Sequence, residues 1–211
     1  EWLDAYAAGM FTEFMEQRAP GHTVLGDVIY RKGLHDLKAD VARSMAALDF
    51  VGDPRAYDKR EELRAMDIAA NAMLAFAERH ADALEALAEK ESDAERKAEL
   101  ETMAANCRRV PAQPPETFWQ ALQYYWFVHV GVITEVNPWD SFNPGRLDQH
   151  LYPFFKREIE NGTLTRERAR ELLQAFWVKF NNHPAPPKVG VTAQESGTYT
   201  DFALINIGGV K

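Results

Sequence analysis

Hydrophobic residues recur at helical spacing along most of the chain, so the pattern predicts a mainly helical protein. Apolar residues three and four positions apart predict a first helix over 2–17, which Pro20 and Gly21 bring to an end. The same spacing predicts six further helices, of which the second and third are expected to form a helical hairpin. These six span residues 34–48, 54–90, 92–109, 117–134, 147–160 and 166–181.

Three of the predicted helices begin with residues that are typical of helix caps. Asp53 followed by Pro54 is a helix start with an acidic N-cap and a proline at the first position. Ser92 with Glu95 three residues later matches a capping box. Thr165 is the expected N-cap of the last helix.

The segments between the helices are rich in proline, glycine and polar residues. Residues 22–33 are expected to form a loop or a short extended piece, and 137–146 cannot form a continuous helix because they contain two prolines and a glycine. Residues 199–207 are rich in aromatic and β-branched residues and are bounded by glycines, which predicts a strand. The helix over 117–134 is apolar nearly all round, so we expect it to be fully buried.

Composition and charge exclude several classes of function. The 211 residues include 24 Lys and Arg against 32 Asp and Glu, a net charge of -8, so no nucleic-acid partner is expected. The most apolar stretch, residues 118–133, is too short for a bilayer and contains polar residues, and no signal peptide is evident. A single cysteine excludes an intrachain disulfide and fits a reducing compartment. We therefore expect a cytoplasmic protein without a membrane partner.

Common catalytic motifs are absent from the sequence. It contains neither of the glycine-rich loops that cradle nucleotide phosphates. Its six histidines never pair three or four residues apart, so no metal site is expected. Cys107 precedes Arg108 and Arg109, which could lower the pKa of its thiol, but a lone helical cysteine is usually inert and we favour that interpretation.

Three irregular segments concentrate polar groups, namely residues 18–27, 137–149 and 192–206. Each has a purely structural interpretation. His22 can be a loop histidine, Asp140 can cap a turn, and the Ser196–Gly197 pair can form one. The residue pattern alone therefore supports no more than a helical soluble protein.

Taken together, these segments resemble a known family. Arg-Ala-Pro-Gly-His-Thr at 18–23, Trp-Asp-Ser-Phe-Asn-Pro-Gly-Arg-Leu-Asp-Gln at 139–149, and Pro-Pro-Lys-Val-Gly-Val-Thr-Ala at 186–193, followed by Ser-Gly-Thr-Tyr-Thr-Asp-Phe at 196–202, resemble the pyruvate formate-lyase-like domain of glycyl radical enzymes. The resemblance implies an α/β fold, a barrel of two five-stranded half-sheets wrapped by helices. Residues 1–211 would be a mostly helical internal part of that domain.

Five positions favour a particular branch of the family, the one that removes water from trans-4-hydroxy-L-proline to give a pyrroline carboxylate. The resemblance implies catalytic roles for His22 and Asp140, and substrate-binding roles for Phe14, Ser196 and Phe202. Glycerol or propanediol dehydratases and choline trimethylamine-lyase, all in the same superfamily, are the alternatives. A helical scaffold protein without catalysis is the alternative outside it.

The resemblance also implies machinery that this sequence lacks. Family members use a glycyl radical, installed by a radical S-adenosylmethionine activase, and a cysteine in a Cys-x-Glu motif. Arg109 stands where Cys107 would need a glutamate, and the glycine loop is missing. We therefore expect both elements beyond Lys211, no bound cofactor, and no activity of this chain alone. The expected partners are the small-molecule substrate, the activase and a second copy in a homodimer.

Overall fold

The computed structural model describes residues 2–8, 25–135, 144–180, 205, 207 and 208. Within these residues the chain forms seven α-helices and one short 3-10 turn, and no strand. The α-helices are α1 (Trp2–Ala7), α2 (Leu34–Ala46), α3 (Ala56–Ala88), α4 (Ala94–Arg109), α5 (Phe118–Glu135), α6 (Leu147–Glu160) and α7 (Arg166–Phe180).

The helix predictions from α2 onward are confirmed to within two residues at each end. Of the first predicted helix, 2–17, only the part up to residue 8 lies among the described residues. The strand predicted over 199–207 falls mostly outside them. The described part of the chain is therefore helical, and the α/β class expected from the resemblance is not evident within it.

The predicted N-cap of α3, Asp53, is wrong, because the helix begins two residues later than expected. The helix begins at Ala56 with Arg55 as its N-cap, and Pro54 lies in the preceding turn. The Asp53 carboxylate accepts the backbone N–H of Arg55 at 2.9 Å, which closes a tight turn ahead of the helix. Asp53 therefore stabilises the turn that precedes α3 and does not act as the N-cap of the helix.

The predicted capping box at the start of α4 is also wrong. The N-cap is Asp93, one residue after Ser92, and its carboxylate accepts the backbone N–H of Arg96 at 2.7 Å. The carboxylate satisfies an amide of the first turn that otherwise lacks a partner. The cap predicted for α7 is confirmed, since the Thr165 hydroxyl accepts the backbone N–H of Arg168 at 3.0 Å.

The segment predicted as a loop or extended piece over 22–33 contains a 3-10 turn at Val28–Tyr30. Asp27 and Arg31 form an ion pair at 2.6 Å across this turn. Ile29 is fully buried, which anchors the turn on the protein interior. Local hydrogen bonding and two buried side chains, Ile29 and Tyr30, thus produce an ordered turn where the sequence pattern is irregular.

The chain divides into two compact units, one made of residues 27–127 and the other of residues 1–26 and 128–211. In the first of these, α3 packs against both α2 and α4, which confirms the predicted helical hairpin. A cluster of buried apolar side chains joins α3, α4 and α5. It consists of Ala77, Ala81, Cys107 and Phe127.

A close backbone approach fixes the start of α2 in this unit. The backbone N–H of Leu34 donates to the carbonyl of Pro111 at 2.7 Å, and that of His35 donates to Ala112 at 3.1 Å. Gly33 makes this possible, because a Cβ atom at that position would lie 2.2 Å from the carbonyl oxygen of Ala112. Glycine is required at this position because there is no room for a Cβ atom, and not because of its φ and ψ angles.

In the other unit, α6 and α7 each bury one apolar stripe. Leu147, Leu151 and Phe154 line the buried side of α6, at the spacing of successive helical turns. The helix ends at a turn in which Gly162 has a φ of +76°, a conformation that glycine adopts readily. Over residues 118–134 of α5, ten residues are buried and the other seven are half-buried, so the prediction of a fully buried helix holds only in part.

Candidate functional site

The five residues predicted to contact the substrate lie outside the described residues. Their roles stay predictions, and the structure contributes the elements that flank them in sequence. In order along the chain they are Phe14, His22, Asp140, Ser196 and Phe202.

The segment that carries Asp140 is bracketed by α5 and α6. Its described end, residues 144–146, is not helical, in agreement with the sequence. Pro144 is fully buried, and Gly145 adopts a φ of +66°, a conformation that side-chain-bearing residues rarely take. The backbone N–H of Leu147 then donates to the Gly145 carbonyl at 3.0 Å. A buried proline and a left-handed glycine thus fix the path by which the chain enters α6.

Asp148 joins the first turn of α6 to a distant part of the chain. Its carboxylate accepts the backbone N–H of Gly208 at 3.0 Å, across 60 positions in sequence. Gly208 has a φ of +75° and follows the segment that carries Ser196 and Phe202. A hydrogen bond therefore joins the first turn of α6 to Gly208.

The same hydrogen bond holds the Asp148 carboxylate in its charged form. The N–H of Gly208 is the largest cause that lowers the pKa of Asp148 below its ordinary value, and the amide of Gln149 acts in the same direction. Because the pKa of Asp148 is lower in the folded than in the unfolded chain, the ionised carboxylate stabilises the fold at pH values above the ordinary aspartate pKa of about 4. This stabilisation is lost as the pH falls below about 4 and through the lowered pKa of the folded state.

A buried aromatic contact joins α5 to α7 in the same unit. His129 is fully buried in α5, and its ring centroid lies 5.0 Å from that of Phe180 at the end of α7. Phe176 stacks edge-on against Phe180, also at 5.0 Å. The His129–Phe180 pair therefore holds α5 against the end of α7, and the Phe176–Phe180 pair orders the last turn of α7. His129 has the surroundings of a core histidine.

Cys107 lies in an apolar environment. The thiol side chain is 5 % exposed and belongs to the buried cluster shared by α3, α4 and α5. The neighbouring Arg108 is engaged by carboxylates of α3, among them Asp82 at 2.5 Å and Glu85 at 2.8 Å. Burial among apolar side chains disfavours the thiolate, so Cys107 has the surroundings of a structural cysteine.

An open cavity of about 580 Å³ lies beside α4 in the same unit. Arg108 and Arg109 line it, but carboxylates balance both guanidinium groups. Arg109 pairs with Glu116 at 2.7 Å and donates to the carbonyl of Pro114 at 3.2 Å, which braces the connector before α5. The partners of Arg108 are Glu78, Asp82 and Glu85. The cavity therefore offers no uncompensated positive charge to an anionic ligand.

Neither a metal-binding cluster nor a membrane-crossing helix occurs among the described residues. These residues contain no group of three or more His, Cys, Asp or Glu side chains placed to hold a metal ion. None of the described helices combines the length and the apolar character that a membrane crossing requires.

Comparison with known proteins establishes the class of protein. The family described as pyruvate formate lyase-like matches residues 1–211, and the chain belongs to it. Over its full length the chain is 60% identical to trans-4-hydroxy-L-proline dehydratase of Clostridioides difficile, of which it covers 27%. The resemblance drawn from the sequence motifs is therefore confirmed.

Two solved structures share the fold of the chain. One is hydroxyproline dehydratase from Clostridioides difficile with trans-4-hydroxy-L-proline bound, with 59% identity and a TM-score of 0.87 over 99% of this chain and 26% of that one. The other concerns 1,2-propanediol dehydration in Roseburia inulinivorans, with 32% identity and a TM-score of 0.81 over 98% of this chain and 25% of that one. The chain thus spans about a quarter of the length of these relatives.

Local sequence patterns predict no role for Asp148, although it lies in the Pro-Gly-Arg-Leu-Asp-Gln motif. An acidic residue in the first turn of a helix was the only local signal, and such residues usually act on the helix itself. The bond to Gly208 depends on contact between residues far apart in sequence, which local patterns do not predict.

Proposed function

We propose that the full-length protein containing this chain dehydrates trans-4-hydroxy-L-proline to a pyrroline carboxylate. The observation that carries the proposal is the 60% identity over all 211 residues to a trans-4-hydroxy-L-proline dehydratase. The identity to the relative that acts on 1,2-propanediol is 32%, which favours the cyclic substrate over the linear one. A scaffold protein without catalysis does not account for either similarity.

The proposal extends to the fold of the whole enzyme. We place this chain within the α/β barrel of two five-stranded half-sheets, where it supplies mainly outer helices and the early strands. The TM-score of 0.87 to the dehydratase with bound substrate supports this placement. The strand predicted over 199–207 would be one of those early strands.

His22 and Asp140 are the proposed catalytic residues. Hydroxide is a poor leaving group, so elimination of water requires a group that donates a proton to the departing oxygen. His22 is assigned this role, because a histidine titrates near neutral pH and can give up a proton there. Asp140 pairs with the ring ammonium or the hydroxyl of the substrate, since a cation in a closed pocket must be paired.

The remaining pocket residues bind the substrate. Ser196 donates a hydrogen bond to the carboxylate, which accepts hydrogen bonds through both of its oxygens. Phe14 and Phe202 enclose the pyrrolidine ring between apolar faces and exclude water from the site. Together these contacts hold the C–OH bond against His22, and such positioning is a large part of catalysis.

The radical itself is assigned to other parts of the enzyme. In this family a glycyl radical generates the cysteine thiyl that takes a hydrogen atom from the substrate. Cys107 does not fit that role, because its side chain is buried among Ala77, Ala81 and Phe127. The catalytic cysteine and the radical glycine then lie outside this chain, which alone is inactive. The activase, a homodimeric assembly and a cytoplasmic location complete the proposal.

A substrate comparison in the full-length protein tests this function. The protein is activated without oxygen by its activase and offered trans-4-hydroxy-L-proline, 1,2-propanediol and glycerol separately, and kcat/KM is measured for each. We expect the hydroxyproline value to exceed the others by at least about 10⁴-fold, because a site built for one set of polar groups rejects analogues that lack them. Faster dehydration of 1,2-propanediol by a fully activated enzyme would overturn the assignment in favour of a propanediol dehydratase.

A further inference from the structure

The hydrogen bond between Asp148 and Gly208 has no evident purpose in the stability of α6 itself. Asp148 occupies the second position of the helix, and its side chain is exposed. Side chains that cap other helices of this chain bind amides of their own first turn, as Asp93 does with Arg96. The Asp148 carboxylate also interacts with the first-turn amide of Gln149, but its strongest hydrogen bond is to the backbone N–H of Gly208, 60 positions away.

The two ends of this bond lead directly into the segments proposed to form the substrate pocket. Phe202 precedes Gly208 by six residues, and Asp140 precedes Asp148 by eight. A chain extends at most about 3.6 Å per residue, so Phe202 lies within about 22 Å of the bond in any conformation. A fixed point near both segments restricts where each of them can run.

The bond is of a kind that fixes position well. An ionised carboxylate accepting an N–H forms a shorter and stronger bond than a neutral acceptor does. Its donor, Gly208, is held at a φ of +75°, a conformation that few residues other than glycine adopt. The backbone N–H is therefore presented to Asp148 by a turn of defined geometry.

We propose that Asp148 is a positioning residue, which holds the segment carrying Ser196 and Phe202 in register with the loop carrying Asp140 through its hydrogen bond to Gly208. The inference rests on the proposed function, because it concerns the shape of the same substrate pocket. Asp148 does not touch the substrate in this assignment. It acts through the placement of the residues that do.

Kinetics of Asp148→Ala in the activated full-length enzyme test the proposal. A small displacement of binding groups weakens catalysis strongly, so we expect kcat/KM for trans-4-hydroxy-L-proline to fall on the order of 10- to 100-fold, mainly through a higher KM. Asp148→Asn keeps an oxygen acceptor for the Gly208 N–H, so its KM should stay within about threefold of wild type.

Glu167→Ala is the matched control. Glu167 occupies the same second position of α7 and is also exposed, so its removal costs the same favourable interaction with a helix N-terminus. We expect the KM of this variant to be unchanged. Equal KM values for Asp148→Ala and Glu167→Ala would overturn the proposal, because only the effect on the helix would then remain.

Hydrogen exchange at the Gly208 amide gives a reading that does not depend on activity. In wild type this amide should exchange more slowly than an unbonded glycine amide, and Asp148→Ala should remove the protection while Asp148→Asn retains most of it. If the Gly208 amide of the wild-type protein exchanges as fast as an unbonded glycine amide, the positioning role is overturned, and this result does not require Asp148→Ala to fold. Absence of hydroxyproline turnover with a protected amide would instead refute the proposed function alone.

Discussion

At the scale of single residues, the account depends most on His22 and Asp140. We predict that His22→Gln and Asp140→Asn each lower kcat for trans-4-hydroxy-L-proline by roughly 10²–10⁴-fold, since a positioned acid or base contributes about that much. The measurement is steady-state kinetics of the activated full-length enzyme, with the radical content determined by electron paramagnetic resonance so that failed activation is not mistaken for lost catalysis.

The same substitutions at exposed positions provide the controls. His35→Gln on α2 and Asp58→Asn on α3 change the same chemical groups on exposed side chains. Both control variants should retain wild-type kcat. Unchanged turnover in the His22 and Asp140 variants would contradict the catalytic assignment.

Cys107 allows a second prediction at this scale. Cys107→Ala removes one sulfur atom from the buried cluster, so we expect a loss of stability of about 1 kcal/mol, the usual size for a small core truncation. Since the thiol is not the radical cysteine in our account, kcat should remain that of wild type. An inactive variant with a normal melting temperature and a normal glycyl radical signal would show that the thiol takes part in catalysis.

At the scale of elements, the backbone approach at Gly33 gives a prediction about stability. Gly33→Ala should destabilise the protein by about 1–3 kcal/mol, because the added Cβ overlaps the backbone of residues 112 and 113, which cannot move as a side-chain end can. Gly162→Ala is the comparison. A Cβ there meets nothing within 4 Å, and only the φ of +76° opposes it, at about 1 kcal/mol.

Melting temperatures of the full-length protein separate these two causes. We expect Gly33→Ala to lower the melting temperature more than Gly162→Ala does. A larger effect at Gly162 would mean that the space around Gly33 opens easily, and that the contact between Leu34 and Pro111 does not hold the start of α2.

The helices could be predicted from the sequence because their signals are local. Hydrophobic spacing located α2 to α7 within two residues, and Thr165 was identified as a cap from its type and position. The errors at Asp53 and Ser92 concern polar residues near the start of a helix: Asp53 accepts the Arg55 amide in a turn before α3, and Asp93 accepts the Arg96 amide in place of its neighbour Ser92. Which of them caps depends on backbone angles that the sequence does not specify.

The candidate site could not be predicted from local sequence patterns alone. Polar side chains such as Asp140 and Ser196 each have an ordinary structural interpretation, and only the resemblance to a family gave them chemical roles. Asp148 illustrates the remaining gap. Its contact with Gly208 joins residues 60 positions apart, and such pairings follow from the tertiary fold and not from any pattern along the chain.

At the scale of the whole molecule, we propose that the chain carries a wall of the substrate pocket and that the radical chemistry belongs to other parts of the enzyme. It spans about a quarter of the relatives that it matches. The described helices bury a continuous apolar cluster in the unit over 27–127, which includes the single cysteine. The other unit contains the Asp148–Gly208 bond and, in sequence, all five proposed substrate contacts.

A chimera tests whether this chain supplies the hydroxyproline-binding wall of the substrate pocket. Residues 1–211 replace the matching segment of the Clostridioides difficile dehydratase, to which they are 60% identical, and kcat/KM for trans-4-hydroxy-L-proline is measured after activation. We predict a value within about tenfold of the unmodified enzyme, since one decade corresponds to only about 1.4 kcal/mol of transition-state stabilisation. A chimera that forms the glycyl radical normally but does not dehydrate hydroxyproline would contradict the account.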